Sequence, residues 1–81
     1  MPERAEVMRS MAGRDKDTLL AAVGVQDGFI LVADGRRRPL SKPKKKNPNH
    51  LSPIGMTLQA EALRSDRSLR RALREAAASV N

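Results

Sequence analysis

A single histidine, no cysteine and scattered carboxylates leave this 81-residue chain little from which to build a reactive centre. His50 has no second imidazole or thiol with which to share a metal. No two acids lie at a spacing that suits acid–base work. Asp15, between Arg14 and Lys16, reads as an ion-pair or turn residue rather than a catalytic acid. The expectation is a protein with no enzymatic activity, no bound metal, no cofactor and no small-molecule substrate.

What these residue types can do is bind anions. Sixteen Lys and Arg against nine Asp and Glu leave a net charge of +7. Charge of one sign at that density opposes compaction until a polyanion meets it. Nucleic acid is the first such partner, and an anionic membrane surface or an acidic protein the second. Seven of the sixteen cations fall in one stretch, GRRRPLSKPKKKNPNH, at residues 35–50. Arg36, Arg37, Arg38, Lys42, Lys44, Lys45 and Lys46 there are candidate phosphate contacts. Arginine suits bidentate geometry, and lysine acts as a point charge. The chain has no Trp or Tyr, and its single Phe29 is expected in the core. Base stacking on aromatic platforms is then closed off, leaving recognition of phosphate backbone and shape.

These residues need a scaffold. With room for one small domain, the chain has to rely on a compact core. Two Asp-Gly pairs, Asp27-Gly28 and Asp34-Gly35, suit two-residue type I′ turns, which need positive φ at both central residues. The nearly unbroken apolar run at residues 18–25, FILVA at 29–33 and RRRPL at 36–40 then form consecutive antiparallel strands, with Pro39 tolerable at an edge. AEVMRSMA at residues 5–12 also suits a helical face, but Gly13 bends the chain directly before the next strand, which favours a strand. Pro43 and Pro48 bias their predecessors to extended geometry and bracket a stiff loop at 42–49. IGMTL at 54–58 reads as one more short strand.

The C-terminal segment is helical. Ser65 or Asp66 caps it, and Leu69, Ala72, Leu73, Ala76 and Val80 make one apolar stripe. Arg67, Arg70, Arg71 and Arg74 form an opposing basic stripe, which reads first as a solubilising solvent face and second as a further candidate set of RNA contacts. The expected architecture is mainly β: a small barrel over residues 1–64 with a basic loop at 36–50, followed by an amphipathic helix at 65–81.

One segment is more specific than composition. AEVMRSMAGRDKDTLLAAVGV resembles the KOW motif, through Val7, Met8, Ser10, Ala12, Gly13, Arg14, Asp15, Lys16 and the apolar run to Val25. The continuation through Val32-Ala33-Asp34-Gly35, Pro43-Lys44-Lys45-Lys46 and His50-Leu51 resembles the short bacterial KOW-domain RNA-binding proteins. Those are similar to KOW-bearing large-subunit ribosomal proteins of archaea and eukaryotes. Leu69-Arg70-Arg71-Ala72-Leu73 matches their Leu-Arg-x-Ala-Leu helix. The chain departs from the pattern at Ala5 and Asp17, where the family usually has glycine; Asp tolerates left-handed geometry better than most residues.

The resemblance implies an SH3-like barrel that binds large-subunit ribosomal RNA, with neighbouring ribosomal proteins as further partners. It adds Arg14 and Lys16 to the RNA-contacting set, and His50, directly after the basic loop, reads as a structural or RNA-contacting imidazole. Two rival readings are a protein-interaction module of SH3-like type in transcription or translation, and a non-specific nucleic-acid binder. A cytoplasmic protein is expected. The N-terminal MPERAEVMRS is charged where a signal peptide would be apolar, and the longest apolar run is too short to insert into a bilayer.

Overall fold

The computed structural model describes residues 3–79. Five antiparallel strands form one sheet: β1 (Arg4–Ser10), β2 (Leu19–Gln26), β3 (Phe29–Ala33), β4 (Lys44–Lys46) and β5 (Leu51–Gln59). The spatial order is β4-β3-β2-β1-β5. One helix, α1 (Asp66–Ser79), follows a short 3₁₀ turn at Ala60–Leu63. The architecture is mainly β with a C-terminal helix, as expected.

The connection between the two edge strands forces the sheet to curl. Laid flat, β4 and β5 would stand four strand spacings apart, about 19 Å. The chain from Lys46 to Leu51 reaches at most roughly 17 Å. Part of it is a 3₁₀ turn at Pro48–His50, which rises only about 2 Å per residue. Register shifts in β1 between Glu6 and Met8, and in β2 between Ala22 and Gly24, supply the extra bend. The edges do not pair with each other, so the SH3-like curl stays open.

Both faces of the curled sheet are covered, which explains the apolar run in β2. On one face Met8, Leu20, Val32 and Leu51 form a buried cluster. On the other, Ala5, Val7, Ala21 and Ala33 pack with Leu63, Leu69 and Leu73 from the 3₁₀ turn and α1. The expected helical stripe is therefore the covered one. Ser65 caps the helix, its Oγ accepting the N–H of Ser68 at 3.1 Å. The predicted end of the stripe at Val80 lies outside the described residues. β5 alternates half-buried and exposed positions as an edge strand should, and it accommodates Pro53.

Three expectations need correction. Residues 36–40 are not a strand; the fourth strand is Lys44–Lys46, inside the stretch read as a loop. Asp27-Gly28 makes the type I′ hairpin, with φ of 55° and 81° and Gln26 paired to Phe29. Asp34-Gly35 does not, because the Asp34 carboxylate accepts the N–H groups of Arg36 and Arg38 at 2.8 and 3.0 Å and folds the chain back on itself. Phe29 is 39% exposed rather than in the core. It opens its strand directly after the exposed hairpin turn.

Candidate nucleic-acid interface

The site begins with a half-buried carboxylate. Residues 13–17 make a tight loop between β1 and β2, turning at Gly13 (φ 89°) and Asp17 (φ 72°). Asp17 thus adopts left-handed geometry, which Asp tolerates better than most residues. The loop directs Asp15 inward, where Ser10 Oγ donates to it at 2.7 Å and Lys46 Nζ at 3.0 Å. Arg38 Nη1 donates to its other oxygen. The three charged side chains of this cluster are only 12–15% exposed. Burial by itself raises the Asp15 carboxyl. The hydrogen bonds from Ser10, Lys46 and Arg38, with the Arg38 charge, outweigh that and hold it far below the usual carboxylate range.

Arg38 thereby pulls residues 34–40 across the end of the sheet, and α1 fixes them from the other side. Arg70 Nη1 donates to the Gly35 carbonyl at 2.6 Å, and the Asp66 carboxylate accepts the Leu40 N–H at 2.8 Å. A Cβ on Gly35 would come within 2.4 Å of the Asp66 carbonyl oxygen, so only glycine allows the loop this close. The basic stretch is therefore clamped at both ends of the loop rather than hanging free.

The two loops and β4 enclose an open cleft of about 750 Å³. Arg14, Arg36, Arg37, Arg38, Lys44 and Lys46 line it, against only Asp15 and Asp34 of opposite sign. Asp15 is already neutralised by Arg38 and Lys46, and Asp34 is occupied by backbone N–H groups. Arg14, Arg36, Arg37 and Lys44 are exposed and make no ion pair with any of the described residues. They leave the cleft a net cationic surface able to hold phosphate oxygens.

The other expected contacts divide. Lys45 points away from the cleft, as strand alternation requires. Its Nζ pairs with Asp27 at 3.3 Å and sits 5.9 Å from the Phe29 ring centroid. Lys16, Lys42 and His50 are exposed but lie outside the cleft lining. On α1, Arg70 and Arg74 line a neighbouring groove, whereas Arg67 and Arg71 line neither depression. Sequence reasoning missed the structural roles of Ser10 and Asp34 and the packing of Gly35. The signal available for Asp15 was a carboxylate embedded in an Arg-Asp-Lys run of a strongly cationic chain.

No group of three or more His, Cys, Asp or Glu side chains that could hold a metal occurs among the described residues. No described helix is long and apolar enough to cross a membrane. No protein-family model matches the chain, and no curated protein matches it by sequence.

Proposed function

We propose that this chain is a non-catalytic RNA-binding protein of the KOW type, gripping the phosphate backbone of structured RNA. Large-subunit ribosomal RNA is the target that the sequence resemblance names, and a ribosomal target implies a cytoplasmic site of action. The observation that carries this reading is the cleft in which four cations, unpaired among the described residues, converge from three separate elements. Holding like charges together is unfavourable without an anion to meet them. The internal ion cluster supports it further, since it stiffens the cleft while leaving the outer cations free. A rigid cationic surface matches a folded phosphate arrangement at low entropic cost.

Salt dependence tests this. With about four phosphates neutralised, log affinity for large ribosomal subunits should fall with log salt at a slope of about −3 to −4. The triple variant Arg36→Ala, Arg37→Ala, Lys44→Ala should flatten the slope by about two to three units and release the protein from sedimenting subunits at moderate salt. Lys45→Ala should leave the slope unchanged. A triple variant that binds with the parent's affinity and slope rules the cleft out as the RNA surface. Recovery of the protein with a partner protein after nuclease treatment would favour the interaction-module reading instead.

A further inference from the structure

A second depression opens beside the cleft, between the start of β2 and α1, with a volume of about 310 Å³. The two share the lining residues Thr18, Asp34 and Arg36, so they adjoin at the loop. Their linings differ in kind. The cleft is almost wholly charged, whereas the groove has an apolar floor of Leu19, Leu73 and Ala77. Arg36 and Arg74 line the groove as well, and Arg70 is occupied by the Gly35 carbonyl. Asp17 lines the groove too, exposed and making no ion pair with the described residues. Its charge keeps phosphate toward the two arginines and makes it an acceptor for a hydroxyl or an exocyclic amine.

We propose that the groove takes the next nucleotide of the RNA strand held in the cleft, with its phosphate at Arg74 and its ribose and base over Leu19, Leu73 and Ala77. This rests on the RNA-binding reading above and extends it to an unpaired nucleotide. Three features favour that ligand. The volume is at the low end of ligand-sized sites, roughly 300–1,000 Å³. The mixture of apolar floor and cationic rim suits a nucleoside joined to a phosphate. Arg36 sits at the junction, where one phosphodiester would pass from cleft to groove. A base edge or sugar face can rest on aliphatic side chains, so no aromatic platform is required.

The test uses the full chain and a short labelled single-stranded RNA of mixed sequence, with affinity measured across a salt series. Arg74→Ala should flatten the salt slope by about one unit, while Arg71→Ala, one turn away and outside the groove, leaves it unchanged. Ala77→Trp fills the groove from an exposed helical position without altering charge. It should weaken binding about five- to tenfold at an unchanged slope. Equal effects of Arg74→Ala and Arg71→Ala, or parent-like binding by Ala77→Trp, would overturn the groove. If the cleft triple variant still flattens the slope in that case, the RNA-binding reading survives and only this extension falls. Should the cleft variant also keep the parent's affinity and slope on large ribosomal subunits, both fall together.

Discussion

The chain contains two Asp-Gly pairs seven residues apart, and they end up in opposite situations. Gly28 tips an exposed hairpin, and a Cβ there would meet nothing within 4 Å. Gly35 is buried against the first turn of α1. Both glycines have φ near 80°, so the local backbone demand is nearly the same. The contrast extends to the ion pairs at each end of the sheet. Neighbouring lysines on β4 point to opposite faces; Lys46 enters the Asp15 cluster at 13% exposure, and Lys45 meets Asp27 in solvent at 46% and 72%. One end of the molecule is held by contacts distant in sequence, and the other by its own turn geometry. What makes a basic stretch a surface of fixed shape is the first kind of contact.

The contrast can be broken from either end. Gly35→Ala should show the largest effect, a destabilisation of about 3–4 kcal/mol in denaturant melts. It adds left-handed strain to a clash with helix backbone that cannot move away cheaply. Asp15→Asn should cost about 2–3 kcal/mol at neutral pH, since it leaves Arg38 and Lys46 shielded from water without a counter-charge. Its pH dependence is diagnostic. A carboxyl depressed in the folded state contributes fully above its unfolded value, about 3.9, and loses that contribution as pH falls toward its folded value. The gap between parent and Asp15→Asn should therefore be constant near neutrality and narrow below about pH 4. A gap that stays constant to lower pH would show that Asp15 is not held ionised.

At the hairpin end the effects should be smaller. Gly28→Ala should cost about 1–2 kcal/mol, from left-handed strain alone. A result matching Gly35→Ala would mean that packing against α1 adds nothing. A double-mutant cycle on Lys45 and Asp27 should return a coupling of about 0.5 kcal/mol or less, and less still at raised salt.

Features set by neighbouring residues were legible in the sequence. The Asp27-Gly28 turn, the β2 run, the α1 stripe and the left-handed Asp17 each follow from a local preference. The exposed cations of the cleft were legible as types but not as a set. Nothing in Arg36-Arg37-Arg38 marks the third arginine as the one that turns inward, because its partner lies 23 residues earlier. Nor does Lys44-Lys45-Lys46 reveal its alternation until it is known to be a strand. Reading residues 36–40 as that strand failed because three tertiary anchors, at Asp15, Asp66 and Arg70, override a modest local preference for extended chain. Phe29 was placed inside on its residue type, but it opens β3 at the unclamped hairpin end of the sheet.

The bond from the Leu40 N–H to the Asp66 carboxylate ties a loop amide to a helix 26 residues further along. No strand neighbour protects that amide, so it exchanges with solvent deuterium only when the first turn of α1 lets go of the loop. Its exchange rate is therefore a clock for helix undocking, read at a position on neither the helix nor the sheet. Slower exchange there on adding RNA would show that filling the cleft tightens the whole end of the molecule, without any amide at the RNA surface being watched.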